Sequence, residues 1–119
     1  MANVRHHTIA TNGISMHVAE AGDGFPVVMC HGWPELWYSW RHQLQALGDN
    51  GFPAIAPDMR GYVRTDAPAD PAQYTMKILC RDMAGLLDAL DIGKAVFVGH
   101  DWGGALLWQM GLCYPERVE

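Results

Sequence analysis

The sequence predicts an α/β domain, with a mostly parallel sheet covered on both faces by helices. Three observations carry this expectation. Asn12-Gly13 is a hairpin dipeptide with β-forming residues on either side. Short apolar runs at 27–30, 52–56 and 95–98 have the length and composition of buried strands. The longer segments between them place apolar residues at helical spacing.

Residues 8–10 and 14–20 are the arms of the hairpin, and Ala21-Gly22-Asp23-Gly24 turns the chain again. The run 27–30 is the first buried strand, followed by a loop containing Gly32 and Pro34. A helix is expected over 37–47, stopped near Gly48. Residues 52–56 follow as a strand, with Pro53 near its start, where a missing N–H is tolerated. Pro68 and Pro71 make 58–73 loop-like. Thr75 can cap a helix whose Leu79, Met83, Leu86, Leu87 and Leu90 share one face, with Gly93 as its stop. A strand over 95–98 leads into a tight turn rimmed by Gly99, Gly103 and Gly104, then an apolar helix over 105–114. Ligands in such sheets sit beyond the carboxyl ends of the strands. The loops after Cys30 and Val98 share that end, so they can meet in one site.

The chain has 119 residues, of which 50% are hydrophobic and 18% charged, enough for one modest domain with a core. Its net charge of -5, with scattered Lys and Arg, argues against a nucleic-acid partner. Cys30, Cys80 and Cys113 lie far apart in or beside apolar runs, as buried free thiols of a reducing compartment would. No run reaches the length of a membrane span, and no apolar signal core follows the N-terminus. A cytoplasmic protein without membrane association is the expectation. Gly22-Asp23-Gly24 precedes a strand instead of following one, so it is no dinucleotide fingerprint, and no phosphate loop is present. His31 and His100 lack metal-ligand spacing. No cofactor or metal is expected, and His6 and His7 read as surface residues.

The chemistry concentrates at Gly99-His100-Asp101-Trp102-Gly103-Gly104, which has the strand–turn–helix context of a nucleophile elbow. Asp101 stands at the apex, where the serine version of this motif has Ser. A carboxylate there suits attack on an alkyl carbon and formation of an ester, whereas serine suits acyl transfer. The bland alternative is an aspartate that merely caps the following helix.

Three motifs together extend this reading. His31-Gly32-Trp33-Pro34-Glu35, with Trp37-Tyr38-Ser39-Trp40-Arg41 after it, precedes Asp58-Met59-Arg60-Gly61-Tyr62, and the Asp101 turn follows. With Tyr114-Pro115-Glu116-Arg117-Val118 at the end, the chain resembles the epoxide hydrolase family of the α/β-hydrolase fold from about His7 onward. The resemblance implies that Asp101 is the nucleophile, giving a hydroxyalkyl ester that water then cleaves. It implies that the backbone N–H groups of Trp102 and Trp33 stabilise the resulting oxyanion. It also makes the peptide before Pro34 a candidate cis bond. His31 and His100 are expected to shape their loops and not to act as base. Asp58 and Arg60 are expected to organise their own loop. Trp37, Tyr38 and Trp40 are read as packing in core and cleft. Val63 departs from the family's D-x-R-G-x-G pattern, where a β-branched residue would be strained at positive φ.

The implied substrate is a small apolar epoxide, with water as co-substrate. Residues 1–119 would form the N-terminal part of a core domain, ending just after the elbow helix. The base, its acidic partner and the cap tyrosines of the family would all lie beyond Glu119, leaving the sheet incomplete and the cap absent. A fragment or truncated product is therefore expected, inactive by itself. A haloalkane or haloacid dehalogenase using the same aspartate is the alternative within the enzyme class. Trp102 does not separate the two, whereas Trp33 leans towards epoxides. A non-catalytic stub is the alternative outside that class.

Overall fold

The computed structural model describes residues 3–119. The hairpin comprises β1 (Arg5–Thr11) and β2 (Ile14–Ala21). Asn12 and Gly13 both take positive φ, 49° and 80°, as the predicted tight turn requires. β3 (Val27–Cys30), β4 (Ala54–Pro57) and β5 (Val96–Gly99) complete one five-stranded sheet in the order β1-β2-β4-β3-β5. β3 runs parallel to both β4 and β5, while β2 meets β4 antiparallel. Beyond β5, Ala95 makes a single parallel bridge to Val118.

Three α-helices connect these strands. α1 (Arg41–Asp49) follows a 3₁₀ turn over Trp37–Trp40, so the predicted helix is divided in two and runs on past Gly48. α2 (Met76–Ala89) starts where expected, with Thr75 Oγ1 accepting from Ile78 N–H at 3.3 Å. Gly93 is not its stop. The left-handed residue just past the helix is Asp91, φ 56°, which reverses the chain two residues earlier. α3 (Trp102–Cys113) begins three residues before the predicted start. Its glycines were read as part of the turn, whereas Gly103 and Gly104 are already helical.

Residues alternate along the strands between two cores. Val18, Val28 and Ile55 join Met83, Leu86 and Leu87 of α2 and Leu106 and Met110 of α3. Their neighbours Ala19, Val27, Met29, Ala54 and Ala56 pack with Leu44 of α1 on the other face. Both faces of the central strands are thus covered, whereas β5, expected to be buried, is only half-buried and Val98 is exposed, because the strand lies at the edge of the sheet. Cys30 and Cys80 are buried thiols, pushed up to about 12 and about 11 by desolvation. Cys113 is exposed, contrary to expectation, because it lies on the uncovered side of α3. That side also exposes Trp108 and Leu112. None of the helices among the described residues is long and apolar enough to cross a membrane.

Candidate active site

β3 and β5 are paired in parallel, Cys30 opposite Gly99, so the loops that leave them start side by side. His100 N–H donates to Cys30 O at 3.2 Å and carries the pairing one step into the turn. Two glycines make this approach possible. A Cβ on Gly103 would collide with Cys30 O, and one on Gly99 would collide with Leu107 and with Gly103 O. Gly104 is different, since its nearest neighbour would be Gly99 O at an ordinary 3.6 Å. Gly32 faces the same turn from the other side, where a Cβ would meet the side chain of Asp101.

Asp101 sits at the apex with φ 60° and ψ -121°, a backbone conformation that L-residues rarely adopt. It makes no side-chain cap to α3, so the helix-capping alternative fails. Its side chain instead turns toward the β3 loop, where Trp33 N–H donates to Oδ2 at 3.1 Å. The Trp33–Pro34 peptide is cis, as the resemblance anticipated. The backbone N–H groups of Trp33 and Trp102, with a smaller contribution from His100, hold the exposed Asp101 carboxyl below the usual carboxylate range. It is therefore ionised at neutral pH.

The neighbouring histidines are otherwise engaged. Met59 N–H donates to Nε2 of His31 at 2.9 Å, so Nδ1 carries the proton and donates to Gly32 O at 2.9 Å. His31 is buried, and desolvation lowers its pKa, so it is a neutral brace between two loops. His100 points away from Asp101 to Glu35, 3.1 Å from Nδ1 to Oε1, and Glu35 also accepts from Gly32 N–H at 3.2 Å. Glu35 is a tie between the two loops that sequence reasoning left without a role.

The loop after β4 is organised by partners distant in sequence. Asp58 and Arg60 do not pair with each other. Asp58 Oδ2 lies 2.7 Å from Nδ1 of His17, and its Oδ1 accepts from Trp37 N–H at 2.9 Å. Arg60 grips Asp82 of α2 through two bonds of 2.8 and 2.6 Å. Asn12 Nδ2–H donates to the same carboxylate at 2.9 Å. Val63 takes φ 45°, so this chain keeps the glycine backbone of the family pattern with a valine in place. The side chain escapes collision because it is 67% exposed. His6, read as a plain surface residue, meets His17 through its Nδ1, 2.9 Å from Nε2, and His7 is partly buried. Trp37 packs in the inner polar layer, edge-on to His6, while Tyr38 is exposed.

A cavity of about 410 Å³ reaches the start of α3, walled by His31, Met59, Arg60, Tyr62, Tyr74 and Trp102 among others. Trp102, on its wall, and Trp33 on the facing loop are both exposed, at 62% and 66%.

A strand–turn–helix that presents an acid beside a second loop's N–H defines the class. Residues 26–119 match the alpha/beta hydrolase fold family, and the chain belongs to it. Among its relatives, epoxide hydrolase 2 of Siraitia grosvenorii is 52% identical over all 119 residues, which is 38% of that protein's length. An epoxide hydrolase of Caballeronia sordidicola is 53% identical over 116 residues, 98% of this chain and 35% of that one. The crystal structure of an epoxide hydrolase from Vigna radiata superposes with a TM-score of 0.95 at 48% identity, covering 97% of this chain and 36% of that one. The chain thus spans a little over a third of the length of these relatives.

Proposed function

We propose that these residues are the nucleophile-bearing portion of an epoxide hydrolase that acts through an aspartyl ester. The observation that carries this is the bond from Trp33 N–H to one oxygen of Asp101, 3.1 Å to Oδ2. The other oxygen, Oδ1, is then left to attack. In the first step Oδ1 bonds to an epoxide carbon, the ring C–O bond breaks, and the released alkoxide takes a proton from an acid. In the second step water adds to Cγ of the ester. Charge builds on Oδ2, the oxygen already facing Trp33 N–H and near that of Trp102. Preorganised donors at such an oxygen contribute about 2.7–4 kcal/mol each. Collapse of this adduct frees the diol and restores the carboxylate.

Ring opening needs the acid and water attack needs a base, and each contributes roughly 10²–10⁴-fold. Among the described residues the nearby histidines are committed elsewhere, His31 through both nitrogens and His100 to Glu35. Residues 1–119 alone would therefore be alkylated slowly and once, without turnover. The exposed α3 surface also favours self-association of the isolated chain.

The test is to incubate residues 1–119 with styrene oxide, assay diol, and map adducts by mass spectrometry, with size-exclusion chromatography alongside. The expected result is at most one adduct per chain, on Asp101, and none in Asp101→Ala. In a full-length protein carrying these residues, Asp101→Ala should abolish diol formation. Wild-type-like turnover in that variant would overturn the assignment. Halide release from haloalkanes in place of diol formation would favour the dehalogenase alternative.

A further inference from the structure

Away from Asp101, three titratable side chains from three elements form one line of hydrogen bonds. Asp58 Oδ2 lies 2.7 Å from His17 Nδ1, and His17 Nε2 lies 2.9 Å from His6 Nδ1. Asp58 is fully buried and His17 nearly so, while His6 on β1 is exposed and in reach of water. We propose that Asp58, His17 and His6 form a proton-operated clasp, which accepts one proton without change and opens at the second, loosening the loop that braces His31.

The number of hydrogens on the three side chains decides whether the line holds. Asp58 accepts Trp37 N–H on Oδ1, and as a carboxylate it takes the Nδ1–H of His17 on Oδ2. That leaves Nε2 of His17 and Nδ1 of His6 facing each other with room for a single hydrogen. With both rings neutral, His6 donates and His17 accepts. With one extra proton, either ring is the cation and the bond survives, with the buried Asp58 carboxylate compensating the charge. With a second, two N–H groups confront each other at 2.9 Å and no bond is possible.

The surroundings oppose that second proton. The two rings are nearly parallel, 11° apart, with centroids 5.2 Å apart, and Trp37 packs edge-on to both. The charged and titratable groups facing His6 are His17 on β2, Asp58 and Arg64 on the loop after β4, and His7 on its own strand. From the 3₁₀ turn, the neutral Trp37 meets His6 edge-on. Burial, then His17 and Arg64, hold His6 below the usual histidine range.

Opening would reach the Asp101 site along the backbone. Asp58 N–H donates to His17 O, and His17 N–H donates to Thr65 Oγ1, which in turn donates to Asp58 O. The next residue, Met59, gives its N–H to His31 Nε2. The rings of His6 and His17 therefore share one framework with the loop that presents Trp33.

The experiment is a pH titration of the imidazole nitrogens by long-range ¹H–¹⁵N NMR on the 119-residue chain. The same signals can be read on sedimented protein, so self-association does not remove the readout. At neutral pH, Nδ1 of His17 should be protonated. His6 and His17 should show two-step curves, separated by more than about one pH unit, as coupled sites do. At the second step the Met59 and Trp33 amides should lose hydrogen-exchange protection. His6→Phe, on an exposed strand position, should leave His17 a single step and keep Met59 and Trp33 protected to lower pH. Independent one-step curves, a His17 unchanged by His6→Phe, or amides indifferent to the second step would each overturn the clasp. None of these readouts depends on Asp101 chemistry, so failure here is distinguishable from failure of the proposed activity.

Discussion

Two polar clusters lie beyond the carboxyl ends of the parallel strands. One comprises two buried pairs, His17 with Asp58 and Arg60 with Asp82, all at most 4% exposed. The other joins Asp101 with the N–H groups of the exposed Trp33 and Trp102. In the first, the carboxylates are fully engaged: Asp82 holds Arg60 twice and Asn12 once. In the second, an ionised carboxylate stands exposed at a strained apex. Desolvated charge must be satisfied internally, so the inner cluster can only be scaffold. Exposure and strain are tolerated only where the framework beneath is rigid, which the inner cluster supplies.

The largest effect should come from breaking the inner cluster. Asp82→Ala leaves the Arg60 guanidinium buried without its partner, and a loss of about 3–5 kcal/mol is expected in urea denaturation. Replacing both, as Arg60→Met with Asp82→Leu, should recover most of it, because no charge is then stranded. A double variant as unstable as the single would show that the pair holds more than itself.

Next comes the contact that brings the two exposed loops together. Gly103→Ala should cost about 1–3 kcal/mol, since its Cβ meets Cys30 O and must push β3 from the turn. The Trp33 amide signal should shift as its bond to Asp101 lengthens. Gly104→Ala is the control, with space for the methyl and a helical backbone, so it should be neutral or stabilising by up to about 1 kcal/mol. Equal losses at both positions would contradict the geometry.

Smaller gains should follow from releasing strain in the exposed loops. Asp101→Gly and Val63→Gly, at φ 60° and 45°, should each raise the thermal midpoint, by roughly 1 kcal/mol of stability. The first should also abolish adduct formation, while the second should leave it intact.

Acid should act first on the buried side. His31 is held below its ordinary 6.5 by burial, so below that value the unfolded chain binds more protons than the folded one. Stability should fall as pH drops through about 6.5, levelling off once the folded imidazole also protonates. Asp101 has the same sign in a lower window: its pKa is also depressed, so its contribution is present above about 3.8 and is lost as pH falls below that value. A urea midpoint that stays flat from pH 7 to 5 would contradict the neutral, buried His31.

Much of the outline was legible because local chemistry encodes it. Asn12-Gly13 dictates a tight hairpin, short apolar runs dictate strands, and Thr75 dictates a helix start, while β5 shows that burial depends on a strand's place in the sheet. The Asp101 apex was legible for the same reason, since glycines placed around an acid between a strand and a helix leave few alternatives. The helix boundaries were less so. Gly48 continues α1, and Asp91 instead of Gly93 reverses the chain after α2, because tertiary packing outweighs a single residue's preference.

The sequence by itself determined that strands and helices alternate and that Asp101 stands at a sharp turn. Only the tertiary structure decided which polar groups meet. Arg60 finds Asp82 rather than Asp58, Asp58 finds His17, and Glu35 bridges to His100. These partners are separated by tens of residues, and nothing in their local sequence marks the match. The pairing follows from strand order, which places β2 and β3 on either side of β4 and so folds their loops over one end of the sheet. Burial then selects, among the charges delivered there, the arrangement that leaves none unpaired.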